Sequence, residues 1–141
     1  MPIDRRRFIG LSACALAGAV TPGCASVALV PVTPVDGVVR IRLSASPQLL
    51  HPGGYLKVQP AGAPTAVYIL ALDDGSHAAL SPICTHLGCT VDIAGARLVC
   101  PCHGSTYARD GSVLRGPAER ALRSYPVETR ADEILVRLEG A

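Results

Sequence analysis

The sequence reads Cys84-Thr-His-Leu-Gly-Cys89 and, ten residues further on, Cys100-Pro-Cys-His-Gly-Ser-Thr-Tyr107. Each stretch, called box 1 and box 2 below, holds two Cys and one His, and four of the six Cys of this 141-residue chain fall inside them. Thiolate and imidazole are ligands for zinc, copper and iron–sulfur centres. The two boxes therefore predict a metal centre, a crosslink, or both, between two loops.

Three uses of these six side chains are open. A structural zinc site takes four ligands, and paired ligands are usually separated by about two to four residues. Here one residue separates Cys84 from His86, and six candidate ligands would leave two spare. A disulfide scaffold suits an exported protein but gives the histidines no role. In a third division, two Cys and two His hold a two-iron cluster and the other two Cys form a disulfide.

Beyond residue 36 the pattern is one of short apolar runs separated by turns. Val39, Ile41 and Leu43 alternate with arginines, which predicts a half-buried strand. His51 and His77 lie outside both boxes and are interpreted as surface or strand residues. No amphipathic helix is predicted in this region, so the expected fold class is all-β. Further strands are predicted at residues 66–72, 91–93, 97–99, 127–130 and 134–138, with turns at 73–75, 94–96, 109–111 and 131–132.

Residues 1–35 have a different character from the rest. Residues 4–10 read Asp-Arg-Arg-Arg-Phe-Ile-Gly, and no charged residue follows until Asp36, as in an export signal. The paired arginines with Phe8 and Ile9 resemble the twin-arginine signal. The uncharged run is long enough for a membrane anchor. Lipidation at Cys24 and cleavage are the alternatives.

One folded domain, preceded by a signal or anchor segment, is expected from this change of character. Residues 1–35 are predicted to be a signal or membrane anchor followed by a tether. Residues 30–37, which contain two Pro, are the candidate tether. Residues 36–141 are predicted to be the folded domain, with metal-binding loops at about 82–118.

The charge pattern argues against nucleic acid as a partner. The net charge of +2 comes from residues 1–23, which carry three Arg and one Asp. The remaining residues hold 10 basic and 10 acidic side chains, and only 4% of the chain is aromatic. Proteins that bind nucleic acid use basic stripes and stacking aromatics, which this chain lacks.

The two boxes resemble the pattern of the Rieske iron–sulfur proteins, Cys-x-His-x-Gly-Cys followed by Cys-Pro-Cys-His-Gly-Ser, and match it at every position. The resemblance covers about residues 80–120 and implies a fold of small stacked antiparallel sheets. It implies a disulfide between Cys89 and Cys102, as in quinol–cytochrome c oxidoreductases of the cytochrome bc type. It also implies one [2Fe-2S] cluster as cofactor, with the ligands Cys84, His86, Cys100 and His103.

Four further positions match finer features of that family. Ser105 and Tyr107 stand where high-potential members donate hydrogen bonds to a bridging sulfide and to a Cys sulfur, which raises the potential. Leu87 matches an apolar residue that shields the cluster. Residues 116–118, which include Pro117, resemble the proline loop that covers its third side.

The resemblance implies an exported electron-transfer subunit of an oxidoreductase rather than a complete enzyme. The expected role is to pass electrons from quinol to a c-type cytochrome in a cytochrome bc-type complex, with cytochrome b-type and c-type subunits as partners. The expected place is the periplasmic side of the cytoplasmic membrane, attached to it. The alternative is a small Rieske subunit of a periplasmic oxidoreductase of the arsenite oxidase type, whose large subunit would be the partner, or a free-standing carrier. The short body of the chain favours this alternative.

Overall fold

The fold is described by a computed structural model for residues 28–138. Within these residues the chain forms three β-sheets and a single turn of 3-10 helix at Pro47–Leu50, which confirms the all-β prediction. The strands are β1 (Val30–Val32), β2 (Val38–Arg42), β3 (Tyr55–Pro60), β4 (Val67–Ala71), β5 (His77–Leu80), β6 (Asp92–Ala94), β7 (Arg97–Val99), β8 (Thr106–Ala108), β9 (Val113–Arg115), β10 (Ser124–Tyr125), β11 (Val127–Arg130) and β12 (Glu133–Arg137).

The strand β4 is the centre of the fold. It lies in the middle of a five-stranded sheet of order β1-β3-β4-β5-β10, and all five of its residues are buried. Successive side chains of a strand point to opposite faces. Val67 and Ile69 therefore enter one apolar core, and Tyr68 and Leu70 enter a second. This double burial explains why β4 is apolar at every position.

The first core, called the base core, lies against the sheet β11-β12-β2. Val39 and Ile41 of β2 alternate with exposed arginines, as the sequence predicts, and pair in register with Val136 and Ile134 of β12. All four side chains are buried with Ile69 of β4. The base core is thus built by the apolar faces of two sheets.

The second core, called the cluster core, includes residues of the sheet β6-β7-β8-β9 and of both boxes. These four strands have three residues each. A tight turn at Gly95, with φ +60°, joins β6 and β7. The positive φ is typical of glycine in such hairpins. The predicted hairpins at 91–99 and 127–138 are both confirmed.

The predicted tether is corrected at its start. Residues Val30–Val32 form β1, which pairs in parallel with Val58–Pro60 of β3. The following turn is held by a bridge between Val35 and Val38 and by a bond from the Leu138 amide to the Gly37 carbonyl, 2.9 Å long. The two Pro of this segment suggested a free linker, but Val30 and Val32 belong to the edge strand of the five-stranded sheet. The predicted twin-arginine signal and Cys24 lie outside the described residues.

No helix between residues 28 and 138 has the length and apolar character of a membrane span.

Candidate metal centre

Box 1 and box 2 form two loops with the same backbone hydrogen bonds. In box 1 the Gly88 amide donates to the Cys84 carbonyl at 3.0 Å, and the Cys84 amide donates to the Cys89 carbonyl at 2.8 Å. Box 2 repeats both bonds at the same lengths, from Gly104 and Cys100. Each loop turns at its glycine, with φ +82° and +76°, where a residue with a side chain would be strained.

The two loops bring the four predicted ligands to one end of the molecule. The thiols of Cys84 and Cys100 are 3% and 1% exposed, and neither is in a disulfide. The rings of His86 and His103 meet edge to face with their centroids 4.9 Å apart. His86 is half-buried and His103 is exposed. The thiols therefore lie in the cluster core while the imidazoles lie towards solvent.

Cys89 and Cys102 form the disulfide that the resemblance implies. Their sulfur atoms are 2.00 Å apart, and the bond joins residues 13 positions apart in the chain. This pairing confirms the prediction and ties box 1 to box 2.

His86 offers a buried atom for a metal. Its Nδ1 is buried and has no hydrogen-bond partner, and no other buried side-chain nitrogen or oxygen in the described part of the chain is left in this state. A buried polar atom without a partner costs free energy. A metal ion bound at Nδ1 would remove that cost, so this ring fits the role of a ligand.

Cys84 fits the same role through its hydrogen bonds. Burial raises the pKa of its thiol, but hydrogen bonds from the Tyr107 hydroxyl, the His86 backbone, Cys100 and Ser105 outweigh burial and place the pKa below its ordinary value. Donors directed at a sulfur favour the thiolate, which is the form that binds metals.

A single zinc ion does not fit this end of the molecule. The Sγ atoms of Cys89, Cys100 and Cys102 lie within 4.8 Å of one another, but two of them form the disulfide. No other three Cys, His, Asp or Glu side chains of residues 28–138 bring their ligand atoms that close. The ligands of one tetrahedral zinc, with Zn–S of about 2.3 Å, would lie about 3.8 Å apart. No three of the four predicted ligands bring their ligand atoms within 4.8 Å of one another, which is wider than one tetrahedral zinc requires.

Tyr107 is placed as the sequence predicts, with its hydroxyl 3.2 Å from Cys84 Sγ. The same hydroxyl accepts a hydrogen bond from the Thr85 amide and lies 3.2 Å from Thr85 Oγ1. Thr85 Oγ1 itself donates to the Arg120 carbonyl at 2.6 Å. Burial, followed by the contact with Cys84, raises the pKa of Tyr107, so the phenol keeps its proton. That proton is available to a sulfur ligand.

The other predicted positions lie on these two loops or next to them. Ser105 is fully buried, and its Oγ accepts a hydrogen bond from the Ala118 amide at 3.0 Å, next to Pro117. The Gly116–Pro117 peptide bond is cis, and Pro117 is exposed. Leu87 at the tip of box 1 is 69% exposed. Box 2 and the proline loop are thus tied together through Ser105.

Arg109 is a structural residue that the sequence analysis missed. Its guanidinium is buried and donates to the carbonyls of Gly54, Ala71 and Gly95, at 2.6, 3.3 and 2.8 Å. Burial lowers its pKa, and Asp73 opposes that effect. The sequence Arg109-Asp-Gly indicates a turn only, since the three acceptors lie far away in the chain. Arg109 therefore fixes the β6–β7 hairpin to the central sheet.

Two buried free thiols beside two adjacent imidazoles, on loops joined by a disulfide, are the side chains expected at the metal centre of an iron–sulfur protein. The family model of the Rieske [2Fe-2S] domain matches residues 41–126, which is more than half of the chain, and the chain belongs to that family. Its cofactor is accordingly one [2Fe-2S] cluster.

The chain is similar to iron-sulfur subunits of cytochrome b6-f complexes. The chain is 50% identical over 80 residues to the chloroplastic cytochrome b6-f complex iron-sulfur subunit of Bigelowiella natans, covering 53% of this chain and 31% of the relative. It is 41% identical over 78 residues to the corresponding subunit of Prochlorococcus marinus strain MIT 9515, covering 54% and 44%. The chain thus matches less than half the length of these two curated relatives.

Among solved structures, the chain is similar to the cyanobacterial plasma membrane Rieske protein PetC3 from Synechocystis PCC 6803. The identity is 36% and the TM-score 0.52, over 67% of this chain and 89% of that one.

Proposed function

We propose that the protein is an exported Rieske electron-transfer subunit that passes electrons from quinol to a c-type cytochrome within a cytochrome bc-type oxidoreductase. The relatives that are iron-sulfur subunits of cytochrome b6-f complexes support this proposal. The disulfide supports export, because such bonds persist in oxidising compartments. The periplasmic side of the membrane and attachment to it are part of the proposal.

The ligands in this proposal are Cys84 and Cys100 on one iron and His86 and His103 on the other. The observation that carries it is the buried Nδ1 of His86 without a partner, beside two buried free thiols. When bound, the cluster supplies one-electron redox chemistry, and neutral imidazoles in place of thiolates raise its potential to about −150 to +300 mV.

Tyr107 and Ser105 tune this potential through their hydroxyls. The Thr85 amide donates to the Tyr107 oxygen, and this contact orients the phenol towards Cys84 Sγ. The Ala118 amide similarly occupies a lone pair of Ser105 Oγ and leaves its proton free to donate. A hydrogen bond to sulfur stabilises the added negative charge of the reduced state. Tyr107→Phe and Ser105→Ala should each lower the potential.

The exposed tip is the proposed quinol surface. His103 and Leu87 are exposed, and Pro117 lies on the loop tied to Ser105. A quinol releases electrons and protons together, so the exposed imidazole of His103 is suited to accept its hydrogen bond. Leu87 and Pro117 provide apolar contacts that keep water from this face.

The test is reduction of the purified holoprotein by a short-chain benzoquinol, followed by electron paramagnetic resonance. We expect reduction by quinol. We also expect a midpoint potential that is flat at low pH and falls by about 59 mV per unit once one proton accompanies each electron. A cluster that stays oxidised with quinol, or a potential independent of pH, contradicts the quinol role. Co-purification with a molybdenum enzyme instead of cytochromes would favour the periplasmic oxidoreductase subunit of arsenite oxidase type.

A further inference from the structure

Three sulfur atoms meet between box 1 and box 2. The Sγ atoms of Cys89, Cys100 and Cys102 all lie within 4.8 Å of one another. Two of these atoms form the disulfide, and the third belongs to the free thiol of Cys100, which is 1% exposed. The fold therefore places a disulfide next to a thiol that could attack it.

The other free thiol of the described fold is not placed in this way. Cys84 forms no group of three with Cys89 and Cys102 in which all ligand atoms lie within 4.8 Å. Its Sγ is therefore further than this from at least one of the two bonded sulfurs, and it lies 3.2 Å from the Tyr107 hydroxyl instead. The two buried thiols thus share a proposed role as ligands but differ in their distance from the disulfide.

The two ends of the disulfide differ in exposure, which decides the direction of an attack. In thiol–disulfide exchange a thiolate attacks one sulfur, and the other sulfur leaves as a thiolate. Cys102 is exposed and Cys89 is half-buried, so water can solvate the charge on Cys102 if that sulfur leaves. The opposite attack would have to join Cys100 to Cys102 across Pro101 alone. Attack of Cys100 on Cys89 is therefore the favoured reaction.

We propose that Cys100 exchanges with the Cys89–Cys102 disulfide when the cluster is lost, and that the bound cluster prevents this exchange by holding Cys100. The step forms a Cys89–Cys100 bond and breaks the Cys89–Cys102 bond, whose electron pair leaves on Cys102 Sγ. Cys102 takes up one proton and Cys100 gives up one, so the chain keeps one disulfide and needs no oxidant. The inference rests on the proposed function in taking Cys100 as a ligand of the cluster.

The fold brings the reacting atoms together before any reaction. Bonds from the Gly88 and Gly104 amides fix the backbone of the two loops, while the Cys100 side chain has no disulfide to hold it. A disulfide needs its sulfurs about 2.0 Å apart, and changes of side-chain rotamer can close the remaining distance. Groups held next to each other react as if they were at very high concentration. Exchange within the chain should therefore outrun attack by a thiol from solution.

The exchanged chain would lack a ligand for the cluster. Metal centres bind cysteine as a free thiolate, and Cys100 would be in a disulfide. The iron proposed to bind both thiols would then have Cys84 as its only protein ligand. In an oxidising compartment the disulfide would persist. Loss of the cluster after export would therefore be permanent, and reduction of the disulfide would be needed before a new cluster could bind.

The experiment locates the free thiols of the full chain before and after removal of the cluster. An iron chelator removes the cluster from the holoprotein without air, N-ethylmaleimide labels free thiols, and mass spectrometry of proteolytic fragments locates the label. After cluster removal, labelling of Cys102 should rise at least about tenfold over the holoprotein, with Cys89 linked to Cys100. Dithiothreitol given before iron and sulfide should restore binding of the cluster, and iron and sulfide alone should not.

Two ligand variants provide the matched comparison. Cys84→Ser and Cys100→Ser each replace one buried free thiol by a hydroxyl, and each should lose the cluster. Cys84→Ser should contain the Cys89–Cys100 bond and carry label on Cys102. Cys100→Ser should keep Cys102 unlabelled. Circular dichroism of both variants and of the chelated parent shows whether the thiols are compared in folded chains.

The other outcomes overturn the inference. If Cys102 stays unlabelled in the chelated parent, no exchange takes place. Equal labelling of Cys102 in Cys100→Ser and Cys84→Ser would mean that a different thiol attacks. Disulfides that contain Cys84, Cys14 or Cys24, or that join two chains, would mean scrambling of an unfolded protein. The position of the label separates these results from failure of the proposed function, which would show as a chain matured without a cluster or as a cluster that quinol cannot reduce.

Discussion

The two faces of β4 look onto two differently built cores. The base core contains eleven buried side chains, all of them aliphatic. The cluster core contains Tyr68 and Tyr107 together with the thiols of Cys84 and Cys100. One face of the strand is therefore stabilised by apolar packing, and the other borders polar groups that need specific partners. The comparison predicts that the base core depends on its apolar pattern and that the cluster core depends on its cofactor.

The strands that build the base core are also longer than the strands next to the metal centre. The base strands β2, β3 and β12 have five or six residues, whereas each strand from β6 to β9 has three. Short strands bury little apolar surface, and small units of this kind are usually stabilised by disulfides or metals. We expect the cluster region to depend on Cys89–Cys102 and on the metal centre, and the base to be independent of both.

The largest effect should follow loss of a proposed ligand. His86→Ala or Cys84→Ser should abolish the cluster, because one iron would lose half of its protein ligands. Iron and labile sulfide analysis of protein matured in its native host measures this, with about two of each per chain expected in the parent. His51→Ala, at an exposed position after the 3-10 helix, is the matched control and should keep the cluster.

Stoichiometric zinc without iron in the parent protein would contradict this prediction. So would full retention of the cluster in His86→Ala.

The next effect compares the two faces of β4 directly. Ile69→Ala and Leu70→Ala remove similar volumes from adjacent, fully buried positions, and each should lower the free energy of unfolding by about 2–5 kcal/mol. Only Leu70→Ala should alter the spectrum and potential of the cluster, since Ile69 faces the base core. Guanidinium titration followed by circular dichroism, with spectra of the folded variants, tests this. Equal spectral changes in both would mean that the cores are coupled through β4.

A slightly smaller effect is expected from the disulfide. Cys89→Ala with Cys102→Ala should lower the free energy of unfolding by about 3 kcal/mol, because the bond constrains a loop of about 15 residues in the unfolded chain. The loss should add to that of Ile69→Ala within about 0.5 kcal/mol, since the sites share no partners. Denaturant titration of the single, paired and combined variants measures this. If the loss of stability instead added to that of Leu70→Ala but not to that of Ile69→Ala, the disulfide would be coupled to the base core and not to the cluster core.

The sequence predicts the base better than the cluster region for a physical reason. The alternation of Val39 and Ile41 with arginines reports burial of one face, and the apolar run at 66–72 reports burial of both. The strands β3, β5, β8, β9 and β10 were not predicted. Runs of two to four residues, as in β5, β8, β9 and β10, have too few positions to show a period. The six-residue β3 was missed although its buried positions alternate with half-buried ones. Strand β1 was read as a tether because its partner β3 lies 28 positions away at Val30 and Val58.

In the site, too, residues of local motifs were predicted from the sequence, whereas residues whose roles depend on distant parts of the chain were missed. The boxes are local motifs, so their residues and the Cys89–Cys102 pair were identified from the sequence and its family resemblance. Thr85 and Arg109 were missed, because their roles come from the Arg120 carbonyl and from carbonyls up to 55 positions away. No pattern within a short window reports such contacts. The cleft lined by Cys84, Arg123 and Leu138 is likewise formed only when box 1 meets the base.

The smallest effect concerns Tyr68, a titratable group on the cluster face of β4. Burial, and then the charges of Asp92 and Tyr55, raise its pKa above the ordinary value, and its hydroxyl donates to the Val91 carbonyl at 3.0 Å. The folded state therefore favours the protonated phenol. The stability that this proton contributes is fully present below pH 10 and is lost as the pH rises through the folded-state pKa.

Tyr68→Phe should lower the free energy of unfolding by about 1 kcal/mol at pH 7 because the hydrogen bond is lost, and should reduce the alkaline loss of stability. Urea titrations from pH 7 to 11 measure both effects. An unchanged alkaline slope in Tyr68→Phe would mean that the two faces of β4 do not differ in their response to pH.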